Sequence, residues 1–139
     1  MANMLRISEA SSLAMHTMAL LAARPERRLS AGRIARILGA SQAHLAKVMQ
    51  RLAKAGLVGS VRGPRGGFAL ARPAERIALM DVYEAIEGPM PDSRCLLAKP
   101  ICRGPRCILG GLLKSVNGQV RRQLESTRLS RLAGVLERR

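Results

Sequence analysis

The sequence predicts a mainly α fold with one small β-hairpin: a winged helix-turn-helix domain followed by a long C-terminal helix that pairs with a partner. Three observations carry this. Two short amphipathic segments flank a turn at Gly39. Two strand-like runs flank a glycine- and arginine-rich tip at 62–67, and one narrow apolar stripe runs through residues 109–124. The expected organisation is 1–88 for the winged domain, 89–106 for a loop carrying every cysteine, and 107–139 for a dimerisation helix and tail.

The first helix is read from Ala10, Leu13, Ala14, Thr17, Met18 and Leu21, which recur at helical spacing. Ser8 is its expected N-cap, and Glu9 suits the positive end of the helix dipole. A signal peptide competes for this stretch, because Arg6 precedes it and Ala22-Ala23 follow it. The apolar run from Leu13 to Ala23 is interrupted by His16 and Thr17 and falls far short of the ~20 residues of a membrane span. The expectation is a core helix of a cytoplasmic protein with no membrane partner.

A polar break follows at Arg24-Pro25-Glu26-Arg27-Arg28. Ser30 then caps a short helix with Ile34, Ile37 and Leu38 inward and Gly39 at its end. Ser41 caps the next helix, whose inward stripe is Leu45, Val48, Met49 and Leu52 and which stops at Gly56. Its outward or leading face carries Gln42, Ala43, His44, Lys47 and Arg51. Leu57–Val61 and Phe68–Ala71 read as the hairpin strands. Between them Gly63, Gly66 and Gly67 permit positive φ, and Pro64 fixes the loop. The absence of a GK[ST] sequence after Gly67 argues against a nucleotide-phosphate loop. Residues 79–87 form another short helix with Leu79, Val82 and Ile86 apolar, stopped by Gly88-Pro89. A Pro/Gly-rich loop spans 88–106. From Cys107 a helical pattern places Leu109, Leu113, Val116, Val120 and Leu124 on one seam, and a stripe that narrow calls for a second copy of the chain. Packing back onto its own domain is the competing reading.

Charge narrows the function. The 139 residues hold 24 Lys+Arg against 9 Asp+Glu, a net +15, and aromatics are 1%. Residues 1–76 hold 13 basic and 3 acidic side chains, so the excess lies where the helix-turn-helix pattern lies. Such a chain attracts polyanions. With only Phe68 and Tyr83 it lacks the stacking platforms of single-strand and RNA readers, which leaves double-stranded DNA. Gln42 suits adenine edges, while Lys47 and Arg51 suit guanine or phosphate, with Ser41, Ala43 and His44 beside them. Arg62 and Arg65, on the tip built by Gly63, Pro64 and Gly66, suit a minor groove or a phosphate clamp. A helical hairpin whose charges only solvate a face is the plain alternative. No Ser/His/Asp set, paired carboxylates or metallohydrolase spacing appears, so no turnover chemistry is expected.

Cys95, Cys102 and Cys107 lie within thirteen residues. Three clustered thiols on a Pro-rich loop, in a reducing compartment, suit a soft metal or an iron–sulfur cluster better than a disulfide framework. Arg94, Lys99, Arg103 and Arg106 surround them against Asp92, a field that favours thiolates. A cluster, a zinc ion, a reversible disulfide and inert thiols all remain open at this point. Three cysteines are one short of the usual four cluster ligands.

Over residues 5–125 the chain resembles the winged-helix, iron–sulfur-sensing transcription regulators of the IscR, NsrR and RirA type. The resemblance rests on Ile34-Ala35 through Gly56-Leu57-Val58, on VRGPRGGFALARP at 61–73 and on IALMDVYEAIEGP at 77–89. It implies a homodimer built on the C-terminal helices, with a 2Fe-2S or 4Fe-4S cluster on Cys95, Cys102 and Cys107 whose state sets DNA affinity. The chain departs from the family in three places. Its spacing is C-x6-C-x4-C where C-x5-C-x5-C is common. Gly110 stands where some members place a histidine ligand, and Ser12 stands where others place an acidic ligand from the partner's first helix. Glu9 and His16, one turn to either side of Ser12, are the substitutes. The expectation is a dimeric repressor sensing iron–sulfur, redox or nitrosative status. Its rivals are a same-fold regulator switched by cysteine oxidation or zinc, and a basic structural protein associated with nucleic acid.

Overall fold

The structure is a computed structural model, and it describes residues 7–92, 95–103 and 106–136. Arg6, Arg94 and Pro105, which fall in the segments read above, lie outside the described residues. Among the described residues five α-helices and one hairpin follow in the order α1 (Glu9–Ala23), α2 (Ala31–Leu38), α3 (Gln42–Lys54), β1 (Val58–Val61), β2 (Gly67–Leu70), α4 (Leu79–Glu87) and α5 (Leu112–Ser126). Short 3₁₀ turns lie at Ala74–Arg76 and Leu129–Leu132.

The three predicted serine caps are made. Ser8 accepts from the amide of Ser11, Ser30 from Arg33 and Ser41 from His44. Gly39 ends α2 in the left-handed region at φ 65°, which is what turns α2 into α3 within three residues. α1 buries Leu13, Ala14, Thr17, Met18, Leu21 and Ala22, and packs against α3 and α4. α3 contributes Leu45, Val48, Met49 and Leu52 to the same core, each almost fully buried. Ile37 departs from the expected inward stripe of α2. It is exposed, and Ala35 takes the inward position beside Ile34. With only eight residues α2 turns a narrow face to the core, and Ile34 and Ala35 fill it.

β1 and β2 pair antiparallel in the register Val58↔Leu70, Gly59↔Ala69, Ser60↔Phe68 and Val61↔Gly67. A further rung adds Leu29, whose amide donates to the Phe68 carbonyl at 3.1 Å and whose carbonyl accepts from the Phe68 amide at 2.7 Å. Gly66 is fixed by sterics, because a Cβ there would stand 2.0 Å from the Val61 carbonyl oxygen. α4 runs over Leu79–Glu87 as predicted and buries Met80, Val82 and Ile86, while Leu79 is half-buried. The Asp81 carboxylate accepts from the Ala78 amide at 2.9 Å and so closes the first turn of α4.

The C-terminal helix is shorter than its stripe. It begins at Leu112 rather than Cys107, because Gly110 and Gly111 take φ of 58° and 83° and hold 107–111 as a turn. Leu109 of the predicted seam therefore precedes the helix. Within α5 the stripe is graded: Leu124 is buried against the chain's own domain, Leu113 and Val120 are half-buried, and Val116 is exposed. After α5 the chain turns back. The amide of Leu79 donates to the Thr127 carbonyl and that of Leu129 to the Ile77 carbonyl, both at 2.9 Å. Leu129 is fully buried and belongs to the core. The segment after Ser126 is thus part of the domain up to Leu132, not a free tail. No described helix is long and apolar enough to cross a membrane.

Candidate functional site

Two sets of side chains were expected to carry function, and the structure treats them differently. On α3, the buried face fixes the helix so that Gln42, Ala43, Lys47 and Arg51 lie exposed and His44 half-exposed. Three of these side chains are already engaged inside the fold. The Gln42 amide lies over Gly32 of α2, where a Cβ would meet it at 3.6 Å. His44 Nδ1 stands 3.8 Å from a Glu9 carboxylate oxygen at the start of α1. Arg51 donates from Nη1 to the Ile86 carbonyl at 3.1 Å, bracing the C-terminal end of α4. Lys47 and the wing arginines, Arg62 and Arg65, are exposed and carry no such tie among the described residues. Gly63, Pro64 and Gly66 form the tip between them, with the Gly66 amide donating to the Gly63 carbonyl at 2.9 Å.

Beside the Arg51 brace sits a second tie that the sequence gives no periodic signal for. The Glu87 carboxylate, last residue of α4, accepts from the Ser8 hydroxyl and from the Ser11 hydroxyl, the latter at 2.8 Å. These two hydroxyls hold Glu87 below the ordinary carboxylate value against the opposing effect of burial, with a lesser contribution from the charge of Arg51. Glu87 and Ile86 thereby join the start of α1 and the flank of α3 to the point where the chain leaves for the cysteine loop at Gly88. Because the folded pKa is depressed, this contribution is fully present above the ordinary Glu value and is lost as pH falls through the folded value. Glu87→Gln is expected to flatten the acid limb of stability in the window just below pH 4.5. Urea midpoints measured across that window check it, and an unchanged limb would show that the tie contributes nothing.

The three cysteines converge. Cys95, Cys102 and Cys107 line one small apolar cavity of about 40 Å³, walled by Leu97, Leu109 and Leu113 at the start of α5. No disulfide joins them. Two of the sulfurs accept backbone amides two residues on, Cys95 from Leu97 and Cys107 from Leu109, each at 3.4 Å. The amides of Leu109 and then Gly111, aided by Gly110, hold the Cys107 thiol below its ordinary value, with burial opposing them. The tight turn made by Gly110 and Gly111 is what aims these amides at the sulfur. No set of three His, Cys, Asp or Glu donors among the described residues is already drawn to a single metal-sized point. The donor set nevertheless suits an iron–sulfur cluster: soft thiolates, sulfurs that accept N–H hydrogen bonds, and an apolar wall.

None of the first-helix candidates reaches this cavity within one chain. Glu9 lies against α3, 3.8 Å from His44 Nδ1. Ser12 lies along the α1 surface, its hydroxyl 3.5 Å from His16 Nδ1. That same Nδ1 donates to the Ser12 carbonyl at 2.7 Å, so in the neutral ring Nε2 keeps the lone pair. Around the cysteines the exposed side chains include the apolar Leu96, Leu97, Ile101 and Ile108, continued on α5 by Leu112 and Val116, and stand among the exposed Lys99, Arg103 and Arg106.

Comparisons with known proteins agree with this architecture. A family model described as Rrf2, iron-dependent transcriptional regulator, matches residues 7–134. A putative HTH-type transcriptional regulator of Aquifex aeolicus is 30% identical over 134 residues, covering 94% of this chain and 93% of the relative. The HTH-type transcriptional regulator IscR of Xenorhabdus nematophila is 35% identical over 68% of this chain, which spans only 57% of that relative's length. Among solved structures, CymR, described as the global cysteine regulator of Bacillus subtilis, superposes with a TM-score of 0.82 at 29% identity, covering 96% of this chain and all of that one. A family model matched over nearly the whole chain, a helix-turn-helix with a two-stranded wing, and a set of regulators rather than enzymes among the relatives lead to one conclusion: this chain belongs to the Rrf2 family of transcriptional regulators.

Proposed function

We propose that this Rrf2-family regulator acts as a homodimer on double-stranded operator DNA, as a repressor, and senses iron–sulfur or oxidant status through Cys95, Cys102 and Cys107. The observation that carries the sensing half is the convergence of the three thiols on one cavity beside the start of α5. The family description, iron-dependent, and the likeness to IscR support the same reading. When bound, a cluster supplies a centre whose charge and integrity respond to oxidants. The chain's own part is to present three thiolates, solvate two of them with amides, and tie the loop between α4 and α5. The exposed apolar side chains of the loop and of α5 suit burial against a second copy. A thiol switch without a cluster is the second reading. It is favoured by the lowered Cys107 thiol and the likeness to Staphylococcus aureus CymR, solved in an oxidized form, and it closes by joining two thiols as a disulfide, two electrons and two protons passing to an oxidant. Absorbance after anaerobic purification separates them: broad bands from the near ultraviolet into the visible support the cluster, and a colourless, iron-free protein that still responds to oxidant supports the thiol switch.

On the DNA side, Ser41, Gln42, Ala43, His44 and Lys47 form the leading edge of the reading helix, with Arg51 bracing it. The segment 62–66 forms the wing. Arg62→Ala with Arg65→Ala is expected to weaken binding to all duplexes and to lower the log–log salt slope by roughly 0.9 for each phosphate that is no longer neutralised. Titrations at several salt concentrations check it, and a wild-type slope would remove the wing from the interface. Gln42→Ala and Lys47→Ala are instead expected to reduce discrimination between operators by about 1–3 kcal/mol for each base edge left unread. Binding to matched and mismatched duplexes reads this, and a uniform weakening across both would assign these side chains to the phosphates.

A further inference from the structure

The polar break between α1 and α2 is more than a solvated turn. Arg24, Arg27 and Arg28 from the break and Arg33 from the first turn of α2 line one cavity of about 170 Å³. None of the four makes an ion pair among the described residues, and no carboxylate is among the described residues that line the cavity. Arg33 also sits in the first turn of α2, where a helix favours an anion over a cation. Four guanidinium groups with no carboxylate partner among the described residues share one opening and repel one another, and an anion relieves that.

The rest of the wall says which anion. Leu20 and Ala23 of α1, Leu29, the exposed Ile37 of α2, and Leu136 beyond α5 are all apolar. A DNA phosphate or a free inorganic anion gains nothing from hydrocarbon beneath it, whereas an organic acid buries its body there while arginine grips its head bidentately. The cavity is below the ~300 Å³ typical of sites for drug-sized ligands, so the body is short. We propose that this cavity binds a small monocarboxylate with a short apolar chain, held by Arg24, Arg27, Arg28 and Arg33. The site stands apart from the cysteine cavity. It adjoins Leu29, which is hydrogen-bonded to Phe68 of the wing, so its occupant touches the element that carries the wing.

Hexanoate is the probe, titrated calorimetrically into the full-length protein, with 1-hexanol and inorganic phosphate as separate titrants. A saturable isotherm is expected for hexanoate, with Kd at least about tenfold weaker for the alcohol and for phosphate, a difference of ~1.4 kcal/mol. Arg28→Gln with Arg33→Gln, both exposed positions, is expected to weaken hexanoate at least about tenfold. Ile37→Gln, also exposed, is expected to weaken hexanoate without changing the response to phosphate. Phosphate binding as tightly as hexanoate would overturn the proposal in favour of a plain cationic patch. So would a double arginine variant that binds hexanoate normally while the DNA salt slope falls, since the arginines would then belong to the DNA backbone.

Discussion

Leu129→Ala is expected to destabilise the protein by about 2–5 kcal/mol, the range for emptying a fully buried leucine site. Leu129 is completely buried, its amide donates to the Ile77 carbonyl, and its 3₁₀ turn packs on α1. Removing the side chain leaves a cavity between α1 and the segment before α4. The backbone hydrogen bonds at Ile77 and Thr127 hold the chain in place, so the cavity collapses only partly. Val135→Ala, on an exposed side chain a few residues later, is expected to stay within about 0.5 kcal/mol of wild type. Urea unfolding of both variants, compared at one protein concentration so that the proposed dimerisation contributes equally to each, measures the difference. Equal and small effects would mean that the chain after Ser126 is an appendage and that the winged domain closes without it.

Cys102→Ala should leave a folded protein whose DNA binding no longer depends on what the cysteines hold. Cys102 is exposed, so replacing it leaves the core intact. It is also the middle of three thiols around one cavity, and without it Cys95 and Cys107 cannot bind a common centre with the same set of ligands. An effector moves a conformational equilibrium only by binding one state better than another. The variant is therefore expected to abolish the whole coupling between cysteine state and operator affinity, typically about 5–150-fold. Operator affinity measured anaerobically, before and after cluster reconstitution, for wild type and variant gives the number. A variant that keeps the wild-type difference would remove Cys102 from the sensor. The contacts that would carry such coupling are short: the loop leaves α4 at Gly88, next to Glu87 and Ile86, which hold Ser8, Ser11 and Arg51. Arg51 lies on α3, the helix proposed to read the operator.

Periodicity and capping were legible because they act within a few residues of chain. Ser8, Ser30 and Ser41 cap three helices, Gly39 turns α2 into α3, and the hairpin strands fall within a residue of where the glycine-rich tip requires them. The stripe on α3 was complete in the sequence, since a helix exposes one face and buries the other wherever it packs. The stripe at 109–124 was also present, but two consecutive glycines at positive φ cut it at Leu112, and apolar spacing is blind to a turn that costs glycine nothing.

What the sequence by itself determined is the identity of the elements, the basic charge concentrated over residues 1–76, and a proline-rich loop with three thiols. Each follows from residue type and short-range spacing. The tertiary structure alone decided which polar side chains were already engaged: Arg51 bonded to Ile86, Glu9 beside His44, and Glu87 between Ser8 and Ser11. It also decided that Leu129 returns to the core and that the arginines of a polar break share one cavity with Ile37 and Leu136. Those contacts join residues far apart in the chain. Local spacing carries no record of them, because they form only when packing has brought α1, α2, α4 and the C-terminal segment together.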